Sequence, residues 1–244
     1  MESFSQYGQD RFVDQYVFEE RTGGFFVDIG AHDGVSLSNT VFFERHRGWD
    51  GVCVEPMPER FAQLQSNRQC RCVQGCVSPT SGVRQFTMVT GAADMLSGLA
   101  STMSADHRQR IESELQVKGG QTRVIEVQCH TFNQLMEQCN APRIDFCSID
   151  TEGCELDILR SIDFSRFPAT CYCIEDNNHV VQIRRFFKPL NYRLVEKLGQ
   201  DLIFVHGARA AQMQRVGFLR PGALAVRAAR AIARRVGRAI WPWR

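Results

Sequence analysis

Phe25-Phe-Val-Asp-Ile-Gly-Ala-His-Asp-Gly34 decides the fold of this 244-residue chain. Its first five residues leave only Asp28 polar, as in a strand buried on both faces. Gly30 and Gly34 then allow a tight turn into a helix. Roughly twenty residues on, Gly51-Val-Cys-Val-Glu-Pro56 reads as a second buried strand ending in an acid. Strand, glycine turn, helix and acid-ended strand form the front half of a nucleotide-type site in an open α/β sheet. In such a site Glu55 can accept both hydroxyls of a ribose.

A dinucleotide site needs a second glycine in the turn to clear room for the pyrophosphate. Here that position is His32. The run is therefore a poor pyrophosphate cradle, which disfavours an NAD-dependent oxidoreductase. It better suits a ligand with a ribose and no phosphates, such as S-adenosylmethionine. The same residues also fit a plain strand-turn-helix with no ligand.

Outward from this core, strands and helices alternate, which implies a mainly parallel sheet. A helix is expected over Asp10 to Glu20, and another from Ser38, capped by Ser38 or Asn39. Pro56 and Pro58 start a third, running to Asn67. Strands are expected over Cys70–Val77, Val83–Met88, Val124–Val127, Ile144–Ile149 and Thr170–Ile174. Helices are expected over Thr131–Gln138, Cys154–Ile162 and up to Phe187. Tyr192–Glu196 and Leu202–His206 read as a closing antiparallel hairpin. Residues 89–122 are the least legible; a lid over a substrate and an ordinary surface insertion fit equally.

Most of the ten cysteines fall inside expected strands, as small buried hydrophobes. Their spacing does not match a zinc site. Reduced thiols, no visible secretory signal and no apolar run long enough to span a bilayer point to a cytoplasmic protein.

The net charge of +2 hides an asymmetry. Residues 207–244 hold nine arginines and no acid, leaving 20 basic against 27 acidic residues in the body. The chain thus divides into a domain over 1–206 and a basic tail over 207–244. A helix from Gly222 to Ile240 would gather Leu224, Ala228, Ile232, Val236, Ala239 and Ile240 on one side. Arg227, Arg230, Arg234 and Arg238 take the other, and Trp241 and Trp243 follow. A basic amphipathic helix ending in tryptophans suits peripheral contact of 222–243 with an anionic membrane. A partner protein or a solvated appendage fits too. Nucleic acid is disfavoured, because no stacking aromatics or known module accompany the arginines.

Phe26-Val-Asp-Ile-Gly-Ala-His-Asp-Gly34, the pair Glu55-Pro56, and Ile144-Asp-Phe-Cys-Ser-Ile-Asp-Thr-Glu-Gly-Cys-Glu155 together resemble the FkbM family of S-adenosylmethionine-dependent methyltransferases. Ser5-Gln-Tyr-Gly-Gln-Asp10 resembles the N-terminal signature of one branch of that family. The resemblance runs from Ser5 to Val205. It implies a class I methyltransferase (Rossmann-like) fold: α/β, mainly parallel, with the antiparallel C-terminal hairpin; the basic C-terminal helix is additional. It also implies O-methylation of a sugar, glycan or related small metabolite.

By resemblance, Asp28, Gly30, His32 and Gly34 lie under the methionine end of the cofactor, and Glu55 takes the ribose. Ser78, or Val77 beside it, lies near the adenine, and Asp150 borders the cofactor as well. The Ser5–Asp10 segment would fold back over the site, although its residues alone read as a solvated terminus. The chain departs from the family at His32, where Asn is more usual, and at Ser148, where Lys often stands.

Methyl transfer is an in-line displacement at a sulfonium methyl, and an alcohol acceptor needs a base or a metal to lose its proton. Asp150 is the first candidate for base or divalent-metal ligand; Glu152 and His179 are the others. Glu175 ends a neighbouring apolar strand and could touch substrate or cofactor. Clustered carboxylates would suit magnesium rather than zinc. A rival reading is a catalytically inactive methyltransferase-like domain that tethers a partner or membrane through its tail.

Overall fold

The computed structural model describes residues 3–177 and 179–215. The basic helix expected over 222–240, with Trp241 and Trp243, lies outside them. The chain opens with α1 (Gln9–Phe12), continued as a π-helical turn over Val13–Val17. Then come β1 (Phe25–Ile29), α2 (Val41–Arg47), β2 (Asp50–Glu55), α3 (Pro58–Asn67), β3 (Arg71–Gln74) and β4 (Cys76–Val77). Next are β5 (Gly82–Val89), a 3₁₀ turn (Asp94–Leu96), β6 (Gly98–Leu99), α4 (Ala105–Lys118) and β7 (Thr122–His130). The remainder is α5 (Phe132–Gln138), β8 (Ile144–Ile149), α6 (Glu155–Ser161), β9 (Ala169–Glu175), α7 (Val180–Phe187), β10 (Tyr192–Leu198), β11 (Asp201–His206) and α8 (Gly207–Arg215).

Seven strands form the main sheet in the order β3-β2-β1-β8-β9-β11-β10. Every neighbouring pair is parallel except those made by β11, which runs antiparallel to both β9 and β10. The chain steps outward from β1 to β3 and then crosses to β8 on the other side. Between β1 and β8 lies the switch point where open α/β sheets bind ligands.

Burial explains why β1 is so apolar. Phe25, Val27 and Ile29 enter one core with Phe132, Leu135 and Ile158, while Phe26 faces the opposite core with Phe42, Phe43, Trp49 and Phe146. Eight cysteines are buried and only Cys72 and Cys139 are partly exposed, as expected for small core hydrophobes.

The third expected strand is split. Gly75 takes φ +149, and a side chain there would meet the Gln128 carbonyl at 2.5 Å. β3 therefore stays in the main sheet while β4 leaves to join a second sheet, β4-β7-β5-β6. The second helix begins at Val41 rather than Ser38, with Thr40 at its N-cap and no side-chain cap there; Ser38 Oγ, two residues earlier, accepts from the amides of Thr40 and Val41 at 3.2 and 3.1 Å. Asn39 does not cap it either; its amide donates to Ser148 Oγ at 3.1 Å.

The packed body also runs past His206, where the sequence reading ended it. Ala210 and Met213 of α8 are fully buried, and Arg209 Nε donates to the Val17 carbonyl at 2.5 Å. No described helix is long and apolar enough to cross a membrane.

Candidate active site

A cavity of roughly 240 Å³ opens at the carboxyl ends of β1, β2, β8 and β9. Its floor is the turn after β1. Gly30 has φ +87 and donates its amide to the Val54 carbonyl at 3.0 Å. A side chain there would collide with the Asp150 carbonyl, so only glycine lets β1 and β8 close together. Gly34, at φ +81, lies against Leu64 and Arg68.

Two acids border this turn. Glu55 is buried, and its Oε2 accepts from the His32 amide and its Oε1 from the Met57 amide, at 2.9 and 2.8 Å. Burial pushes Glu55 up to about 7, against the pull of those two amides. Asp28 is also buried; it accepts from Thr40 Oγ1 at 2.5 Å, and Arg68 reaches Thr40 and the Gly34 carbonyl at 3.1 Å each. Burial raises Asp28 and the Arg68 charge opposes it. Asp28 thus lines the cavity as part of the bracing behind the turn. Ser148, in place of a lysine, also lines it.

His32 occupies the position denied to glycine, with φ +51. Its Nε2 lies 3.2 Å from Asp94 Oδ2, and Arg60 Nε donates to the same oxygen at 2.6 Å. Asp94 belongs to the stretch that the sequence left undecided. Asp94, Met95, Leu96, Ser97, Leu99 and Arg110 all line the cavity, so this stretch walls the site.

The N-terminal segment does fold back. Asp10 gathers Ser3, Phe4 and Ser5 at 2.6–2.7 Å. Gln6, Tyr7 and Gln9 reach the cavity, and the Gln9 amide donates to Asp201. Tyr7 packs its ring on Gly199, where no larger residue would fit.

Beside the glycine turn, Asp150, Glu152 and Glu175 come together, one oxygen of each lying within 4.8 Å of the others. Asp150 is open to the cavity, yet enclosing protein and the charges of Glu175 and Glu152 hold it well above the usual carboxylate range. Burial and Glu175 push Glu152 up to about 8, with Arg110 pulling the other way. Glu175 is raised by burial and by Glu155, while hydrogen bonds from Asp150 and Asn177 lower it. Glu155 is structural, its Oε1 accepting from the Thr151 and Gly153 amides at 2.9 and 3.0 Å.

Two expected site residues lie elsewhere. Ser78 does not line the cavity, because its hydroxyl donates to the Thr80 carbonyl at 2.6 Å; Val77, Cys76 and Gly75 line it instead. His179 does not line it either. It caps α7, its amide donating to Asp176 Oδ1 at 2.9 Å. Gln9 belongs to the segment expected to fold back, but sequence reasoning missed Asp94, Arg110 and Asp201; only the glycines and methionines of residues 89–122 hinted at a wall there.

A seven-stranded sheet of this order, with a glycine turn after β1 and an acid ending β2, is the class I methyltransferase architecture. Residues 28–194 match the Methyltransferase FkbM domain, and the chain belongs to that family of methyltransferases. No curated protein sequence matches it. Its fold is similar to that of methyltransferase FkbM from Methylobacillus flagellatus KT, with a TM-score of 0.46 and 11% identity over 76% of this chain and 44% of that one. The chain thus spans less than half the length of that relative. Structures of the METTL16 MTase domain and of the N-terminal domain of human METTL16 give TM-scores of 0.43 and 0.44 at 11% and 12% identity. Each covers 81% of this chain, and 65% and 67% of the respective structures.

Proposed function

We propose that this protein transfers a methyl group from S-adenosylmethionine to a hydroxyl of a sugar, glycan or related small metabolite. The observation that carries the reading is the convergence of Gly30, Glu55 and Asp150 on one cavity. Family membership supports methyl transfer. The acceptor class rests on the resemblance.

Each oxygen of Glu55 is engaged by a single backbone amide, which leaves it a lone pair for a ribose hydroxyl. The backbone of Gly30 to His32 would support the amino-acid end of the cofactor. Val77, Met57 and Phe86 supply an apolar side on which an adenine would rest. S-adenosylmethionine brings an electrophilic methyl group on a sulfonium.

What the chain must do is align the acceptor oxygen, exclude water and take one proton. Asp150 and Glu175 are placed for the last task. Burial and neighbouring acids raise both, which makes a carboxylate a better base for an alcohol. Leu37 and Met95, 46% and 39% exposed, rim the opening and would meet the apolar faces of an acceptor.

Calorimetric titration with S-adenosylhomocysteine, with NAD as control, tests the cofactor. Micromolar binding of the first and none of the second is expected. Binding of NAD alone would overturn the reading. Methylation of a panel of sugars, followed by mass spectrometry, then tests the acceptor.

A further inference from the structure

Glu152 is a carboxylate held only by loose ion pairs, with no hydrogen bond to its Oε2 among the described residues. Its side chain is only 10% exposed, and its Oε2 is buried. The groups nearest Oε2 stand beyond hydrogen-bond range, His107 Nδ1 at 3.6 Å and the Arg110 guanidinium at 3.8 Å. Asp150 and Glu175 face the same point, within 4.8 Å. Asp201 and Glu155 add negative charge close by. Arg110, itself half exposed, is the one guanidinium lining this cavity among the described residues. A buried surplus of negative charge beside a cavity calls for a cation.

We propose that Asp150, Glu152 and Glu175 bind a divalent, oxygen-preferring cation of the magnesium type at the acceptor end of the cavity. Three carboxylates and no nitrogen or sulfur donor select a hard ion over zinc or copper. Metal–oxygen distances of about 2.1–2.5 Å keep any two ligands of one ion no more than roughly 5 Å apart, and the three oxygens lie within 4.8 Å of one another. The site itself does not depend on the cofactor; only the ion's role rests on the methyltransferase reading. In that role the ion holds the acceptor hydroxyl and makes it more acidic. The hydroxyl proton passes to a carboxylate oxygen that the ion leaves free.

The test uses the full chain, stripped with chelator and free of cofactor, titrated with Mn²⁺ and followed by electron paramagnetic resonance, with Mg²⁺ as competitor. One Mn²⁺ per chain, displaced by Mg²⁺, is expected. Glu152→Gln and Glu175→Gln should each weaken Mn²⁺ binding by about tenfold or more, since each removes a charged ligand. Both relieve like-charge repulsion, so circular dichroism should show the fold retained. Glu114→Gln, on the exposed face of α4, should bind Mn²⁺ like wild type. No saturable Mn²⁺ binding, or equal binding by Glu152→Gln, overturns the proposal. Titration of the same preparation with S-adenosylhomocysteine separates the two readings. Homocysteine-nucleoside binding without Mn²⁺ binding removes the cation site alone; the reverse removes the cofactor assignment alone.

Discussion

Gly30 and Asp150 lie so close that a single added carbon on Gly30 would occupy the space of the Asp150 carbonyl. The turn after β1 and the end of β8 are thereby held together where the cavity begins. Two constraints coincide at Gly30, the close approach and φ +87. Gly30→Ala should lower stability by roughly 2–4 kcal/mol, because it meets left-handed strain and a backbone collision together. Urea unfolding of the variant against wild type checks this. Unchanged stability would mean that the turn can move away from β8.

Glu55→Gln should weaken S-adenosylhomocysteine binding by about 1.5–3 kcal/mol, the cost of losing charge-assisted hydrogen bonds to ribose hydroxyls. The amide keeps one acceptor for the Met57 or His32 N–H, so folding should survive. Calorimetry reads the affinity; a variant that binds as tightly as wild type removes Glu55 from the ribose contact.

Asp150→Asn should reduce turnover by about 10²–10⁴-fold, the range for loss of a positioned base, with cofactor affinity changed little. Single-turnover methyl transfer from labelled cofactor measures the first quantity and calorimetry the second. Full activity would exclude Asp150 from proton removal.

The cavity acids also set a pH dependence. Glu55, raised to about 7, and Asp201, raised to about 6, hold protons in the folded state that the unfolded chain releases at lower pH. Their contribution to stability is full below the unfolded carboxylate values and is lost as pH rises through 6 and 7. The Glu55 shift from 4.5 to about 7 corresponds to roughly 3 kcal/mol. Glu44 and Asp33 are lowered and act only at more acid pH, outside this window. The ligand-free protein should therefore unfold at higher urea at pH 5.5 than at pH 8. The opposite order would mean that these acids are ionised in the fold.

Two truncations separate body from tail. Ending the chain at His206 removes the buried Met213 and Ala210 and the Arg209 bond to Val17. It should cost on the order of 3 kcal/mol, about that of burying a methionine plus one side-chain hydrogen bond to a backbone carbonyl. Ending it at Arg215 should leave thermal stability unchanged while abolishing co-sedimentation with anionic vesicles. Vesicle binding equal to that of the full chain would rule out membrane contact by 222–243.

β1 and β8 were legible to the residue, Phe25–Ile29 and Ile144–Ile149. Each is a short apolar run bounded by residues that cannot continue a strand, and both faces are buried, so local sequence carries the whole signal. The glycine turn, Glu55 and Asp150 were legible for the same reason, as chemical types at fixed offsets from those strands. Residue sequence alone left the rest open. That Gln9 meets Asp201, that Asp94 reaches His32 and Arg60, and that Glu175 stands beside Asp150 are pairings between distant positions. No local propensity encodes them, because they arise only when strands far apart in the chain become neighbours in the sheet. The same packing excluded Ser78 and His179 from the cavity and drew α8 onto the body. Local burial and backbone preference thus determined which strands form and which carboxylates end them; tertiary packing decided which of those groups face one another, and with them the electrostatics of the site.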